Sequence, residues 1–136
     1  REALPLLLTL SSGVKGFTTI HAGSARQALT RLRFICQLSD TGNELPMSAL
    51  NSLVSEAIDV VVHCARTPEG PRVTAVICVE DQTTGAESTQ FTATDVFDRS
   101  TGGSLRWTDN IPARTGAAFR DAGLDIRHVL RAGELS

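Results

Sequence analysis

The chain has 136 residues, which is room for one ordinary domain and not for two. Hydrophobic residues make up 41% and charged residues 21%, close to globular averages, and this argues against disorder. A formal net charge of -2 gives no broad basic field for nucleic acid, and no polybasic run marks attachment to a membrane surface.

Cys36, Cys64 and Cys78 are odd in number and scattered, with no C-x-x-C pair. They point to neither zinc nor a disulfide framework, and reduced cytosolic thiols are the expectation. The longest apolar segment, residues 4–10, is interrupted by Pro5 and Thr9. It falls short of the ~18 residues that a membrane span needs. No basic stretch precedes it, so a secretory signal is not expected. The first residue is Arg1 and not Met, which reads as a fragment or a processed start.

Taken in order, residues 2–10 (EALPLLLTL) read as the end of a helix, with Leu4, Leu7 and Leu8 on one face. Pro5 suits a first turn, and Gly13 suits the C′ position. Residues 17–20 (FTTI) are rich in β-branched and aromatic side chains and read as a strand. His21, Ala22 and Gly23 form a turn. Ser24 then opens a helix with the S-x-x-Q capping box, and Ala25, Ala28, Leu29, Leu32, Ile35 and Cys36 make its apolar stripe. Arg26, Thr30, Arg33 and Gln37 fall outside that stripe. The helix ends before the turn residues 40–43.

Residues 46–58 form a second amphipathic helix with Pro46 in its first turn and Ala49, Leu50, Leu53, Val54, Ala57 and Ile58 inward. Residues 59–65 (DVVVHCA) have the near-continuous apolar run of a strand buried on both faces. After a turn at 67–71 (TPEGP), residues 72–80 (RVTAVICVE) pair back as an antiparallel hairpin. Residues 81–90 are a polar loop and 91–97 a short strand. After a turn at 100–103, residues 105–108 return as an edge hairpin. Helices at 113–122 and 125–131, broken at Gly123, complete the chain.

In an α/β sheet, ligands bind outside the carboxyl ends of strands, where strand meets helix. His21 occupies that place in this reading. The helix after Ser24 directs about half a unit of positive charge toward the same spot, which suits an anion such as phosphate. Thr18 and Thr19 alternate across the strand, so one hydroxyl shares the side of His21. On position alone, His21 is open between a phosphate contact and a solvated turn histidine. His63 reads as a satisfied core or edge histidine and His128 as a surface one, and the dispersal of the three gives no metal-ligand spacing. His63 and Cys64 point to opposite faces of one strand and cannot pair for catalysis. Arg31 and Arg33 are open between phosphate or subunit contacts and simple solvation. So are Arg66 and Arg72, which flank the hairpin turn.

The run EALPLLLTLSSGVKGFTTIHAGSARQALTRL resembles the type II/type IV secretion-system ATPases, in particular the branch that assembles Flp or tight-adherence pili and related conjugation ATPases. Glu2-Ala3-Leu4 matches the family's Glu-Ala-Leu helix, and Ser12-Gly13 stands for its Thr-Gly turn. Thr19, His21, Ala22 and Ser24 match the His box of the form s-T-x-H-A-n-S. Ala28-Leu29-Thr30-Arg31-Leu32 matches its A-L-x-R-L helix. LPMSALNSLVSEAIDVVVHCAR and EGPRVTAVICVE resemble the following helix and two strands, so the likeness covers residues 2–97. The segment with LRWT and IPAR is only loosely similar. Gly23 replaces the usual Asn and Val14 a common polar residue.

The resemblance implies an α/β fold: the C-terminal portion of a RecA-like P-loop NTPase domain, with a β-hairpin and a small C-terminal helical appendage. Residues 1–98 would be the domain portion and 99–136 the hairpin and appendage. It implies a homo-hexameric motor that uses ATP and Mg2+ to power protein secretion or pilus assembly. It would be cytoplasmic, peripheral at the inner membrane, working with platform proteins and binding no nucleic acid directly. His21 takes the His-box role near the terminal phosphate, with Thr19 and Arg31 as box and support residues. Arg66 and Arg72 receive no role.

No G-x-x-x-x-G-K-[ST] occurs in these residues, and the glycines of SSGVKGFTT have the wrong spacing to cradle phosphates. In the family layout the Walker B acids lie just before Arg1, with Walker A within about 100 residues upstream. Glu2 follows the Walker B segment and is assigned no catalysis. These 136 residues are therefore expected to hold no nucleotide and to be inactive alone. The alternative is a non-catalytic module that docks onto a secretion ATPase or a membrane partner. A third reading, a Cys-dependent enzyme, needs an exposed cysteine with a depressed pKa.

Overall fold

The computed structural model describes residues 3–38, 45–82, 90–99 and 103–133. They divide into two compact units, Arg1–Asp59 with Asp81–Thr92 and Val60–Glu80 with Ala93–Ser136. Among the described residues there are five helices and one four-stranded antiparallel sheet, a mixed α/β composition.

The first unit holds α1 (Ala3–Ser11), α2 (Ala25–Gln37) and α3 (Met47–Ala57), each packed on the other two. In α1, Leu7 is fully buried while Leu8 is exposed, so the expected shared face narrows to Leu7; Glu2 and the Leu4 side chain lie outside the described residues. Pro5 sits in the first turn, where its missing N–H costs nothing. Past the end of α1, Gly13 takes φ 103°, a conformation that a side chain would strain. The α2 stripe is buried at Ala25, Ala28, Leu29, Leu32 and Cys36, and Leu50, Val54 and Ala57 of α3 are buried in the same unit. Each fully buried Leu or Val contributes about 1.5–3 kcal/mol.

Residues 17–20, expected to be a strand, form none; they carry no regular secondary structure, and Phe17 is fully exposed. β-branched composition alone does not make a strand, because the backbone groups need a neighbour, and no described strand pairs with this one. Arg33 lies off the apolar stripe, where solvation or an outward contact was expected, yet it is buried.

The second unit holds β1 (Val60–Thr67), β2 (Gly70–Val79), β3 (Ala93–Arg99), β4 (Leu105–Trp107), α4 (Ala113–Asp121) and α5 (Ile126–Ala132). The strands lie in the order β1-β2-β3-β4. The expected hairpin of β1 with β2 is present, with Gly70 at φ 103° in its turn, and β4 returns beside β3 as expected. β1 was expected to be buried on both faces. It is instead an edge strand of alternating exposure, with Val60 and Val62 on the open side. Its apolar run identified a strand but carried no information on which place in the sheet it takes. Thr74 is the extra residue of a bulge opposite His63 and Cys64, and Val96 is the extra residue of one opposite Val76 and Ile77. Cys78, Val96, Ile126 and Leu130 form the core of this unit, with Phe97, Trp107 and Phe119 packed around them.

α4 has no side-chain cap of its own, since its N-cap residue is Pro112. The Glu80 carboxylate, just past β2, does that work. It accepts from the backbone N–H of Ala113 at 3.1 Å and of Arg114 at 2.9 Å, and from the Thr94 hydroxyl at 2.6 Å. A negative group also suits the positive end of the helix. The stretches at residues 39–44, 83–89 and 100–102, where turns or loop were expected, lie outside the described residues.

Candidate functional site

His21 sits in the stretch without regular structure ahead of α2 and is exposed, as is Thr19. Ser24 takes extended angles, φ -155° and ψ 168°, and its hydroxyl accepts from the Gln27 N–H at 3.1 Å. Its carbonyl accepts the first helical bond from Ala28 N–H at 3.1 Å. The capping read from S-x-x-Q is therefore made on the serine side. Gly23 packs against the other member of that box: a Cβ there would come within 2.5 Å of Gln27 Oε1. Any side chain at position 23 requires the end of the Gln27 side chain to swing away.

The result is a histidine held in solvent three residues before a capped helix N-terminus. Arg31 is also exposed, seven residues after Ser24 and thus about 10 Å further along the axis. Seven residues are close to two full turns, so Arg31 leaves α2 on nearly the same side as Ser24. Thr19 and His21 share one short segment; Arg31 is set apart from them along the helix.

Arg33 has a different role from its neighbour. Its Nη1 donates to Asn51 Oδ1 of α3 at 2.7 Å, and its guanidinium lies 5.4 Å from the Phe91 ring centre. Burial lowers its pKa from the ordinary value. Sequence reading missed this contact, since neither Asn51 nor Phe91 carries a local signal pointing to α2. Beside it, an open groove of about 290 Å³ is lined by Arg26, Gln27, Leu29, Thr30, Gln90 and Phe91.

The remaining candidates take ordinary places. His63 Nδ1 is 2.9 Å from the Thr74 hydroxyl, the satisfied edge histidine that was expected, and His128 is exposed on α5. Arg66 and Arg72 are exposed at the hairpin end, where Arg72 Nη1 donates to the Pro71 carbonyl at 2.8 Å. Cys36 and Cys78 are buried and Cys64 is exposed, with no disulfide among them. Burial pushes the Cys36 thiol up, away from a reactive thiolate. Among the described residues no three His, Cys, Asp or Glu side chains gather as a metal site. No helix among them is long and apolar enough to cross a membrane.

No protein-family model matches the chain. It is 37% identical over 94 residues to the probable conjugal transfer protein TrbB of Sinorhizobium fredii, a match covering 66% of this chain and 27% of that protein. It is 42% identical over 62 residues to the type IV secretion system protein PtlH of Bordetella pertussis, covering 45% of this chain and 18% of that protein. The PtlH homolog of Bordetella parapertussis matches to the same extent. The matches thus span under a third of the length of these curated relatives. The likeness is to conjugal transfer and type IV secretion proteins, over partial regions.

Proposed function

We propose that these residues form the His-box portion of an ATPase of the type II/type IV secretion class, within a RecA-like motor domain that powers secretion or pilus assembly. Two kinds of support bear on this reading. The relatives are named for conjugal transfer and type IV secretion. The segment T-x-H-A-x-S ends in a serine that caps α2, which leaves His21 exposed directly ahead of the positive end of a helix. That arrangement is the observation that carries the proposal.

In this reading His21 donates an imidazole N–H to a terminal phosphate oxygen of ATP, one of those over which charge is spread in the transition state. The α2 dipole adds to the positive potential at the same place. Thr19 supports the histidine from the same segment, and Arg31 extends the cationic side of α2 toward phosphate or a neighbouring copy. The phosphate-binding loop is not contained in residues 1–136, so the nucleotide is held elsewhere in the assembly. The working form is a homo-hexamer, cytoplasmic and peripheral at the inner membrane, against platform proteins of the secretion or pilus machine.

The test is ATP turnover in a chimaera in which the matching segment of this chain replaces that of the conjugal transfer protein TrbB, with His21 and with His21→Ala. The 136 residues alone are expected to turn over no ATP.

A further inference from the structure

An open groove of about 600 Å³ runs along α4 and α5 and is lined by Ile111, Gly116, Arg120 and residues 123–127. That volume lies within the usual range of ligand-binding pockets. The inner wall is apolar. Gly116 and Ile126 are buried, and a Cβ on Gly116 would lie 3.6 Å from Ile111 and 3.7 Å from Ile126. The outer wall exposes large apolar side chains: Ile111 is 48% and Leu124 59% exposed.

The charge at this groove is one-sided. Asp125 is answered by Arg127, whose Nη2 lies 3.0 Å from Asp125 Oδ2 and whose Nε also donates to the carboxylate. The Arg120 carbonyl accepts from Gly123 N–H, but its guanidinium makes no hydrogen bond or ion pair among the described residues, so of the three charges lining the groove it is the one without a partner. Between Ile111 and Gly133 the sequence holds four arginines against two aspartates, although the whole chain is net -2.

We propose that this groove docks a segment of a partner protein that presents an apolar side chain beside a carboxylate. The apolar side chain lies between Ile111 and Leu124 over Gly116, and the carboxylate pairs with Arg120. A concave apolar surface favours a projecting side chain over a flat bilayer. The proposal uses none of the nucleotide chemistry and stands independently of it.

The test is an NMR titration of the 15N-labelled chain with a short synthetic peptide carrying one leucine flanked by glutamates. Shifts confined to Gly116, Arg120, Gly123 and Leu124 are expected. Arg120→Glu should weaken binding by about tenfold or more and favour the matching leucine–lysine peptide. Gly116→Leu should weaken it by filling the floor. Because Arg120 is exposed, its variant should keep the native spectrum, which separates lost binding from lost folding. Absence of shifts up to about 5 mM, which corresponds to negligible affinity, would overturn the proposal. So would shifts elsewhere, or an equal response to a peptide with serine for leucine. Arg120-dependent binding to phosphatidylglycerol vesicles with no response to the peptide would assign a lipid surface and overturn it too.

Discussion

The buried guanidinium of Arg33 donates to Asn51 Oδ1 at 2.7 Å, joining α2 to α3 across 18 residues of sequence. A charged group in that position is stabilised only while its acceptors remain. Asn51→Leu, similar in size and apolar, removes this acceptor and leaves the charge. It should cost about 2–3 kcal/mol of stability. Arg33→Met removes the charge along with the need for the acceptor and should cost less. Chemical denaturation of both variants checks the order; a larger loss for Arg33→Met would show that the contact with Phe91 matters more than the hydrogen bond.

Glu80 takes the place of a cap that Pro112 does not provide. Glu80→Ala leaves two first-turn amides of α4 without this acceptor and should destabilise by about 2 kcal/mol. Glu80→Gln keeps one acceptor oxygen but turns an NH2 toward a donor, so it should recover only part of the loss. Amide exchange at Ala113 and Arg114 reads the effect locally. Unchanged protection in Glu80→Ala would contradict the capping role.

At the start of α5, Asp125 is the N-cap, accepting from Arg127 N–H at 3.0 Å. The Arg127 side-chain hydrogen bonds, then its backbone N–H, lower the Asp125 carboxyl from 3.8 to about 2. A depressed carboxyl stabilises the fold fully above the ordinary value and loses that contribution as pH falls through the folded one. The loss is therefore expected between 3.8 and about 2, with the first turn of α5 fraying over that window. An NMR titration should place the Asp125 midpoint near 2, and Arg127→Ala should move it toward the ordinary carboxylate range. A midpoint that Arg127→Ala does not move would count against the pairing.

The parts of this protein that were legible in its sequence are those set by near neighbours. Ser24 and Gln27 stand three residues apart, so the α2 cap could be read from their types alone, and Gly13 and Gly70 marked a helix end and a hairpin turn for the same reason. Contacts between distant residues were not legible. Arg33 looked like any helical arginine because its acceptor is 18 residues away, and Glu80 closed a strand in the reading while its amide partners lie more than 30 residues on. Residues 17–20 have strand composition but no described pairing partner, a condition that composition does not report. At the candidate site, the motif singled out His21, and the geometry adds its exposure and the capped helix behind it.

The most direct test of the functional account is the ATP turnover rate of the TrbB chimaera with and without His21→Ala, at saturating ATP. The account predicts a fall of about 100-fold or more, the usual loss when one donor to transition-state charge is removed. The chimaera should still bind nucleotide and assemble as before. Turnover within about twofold of the parent, well under the effect of any such donor, would contradict the role assigned to His21 and leave the docking-module reading in its place.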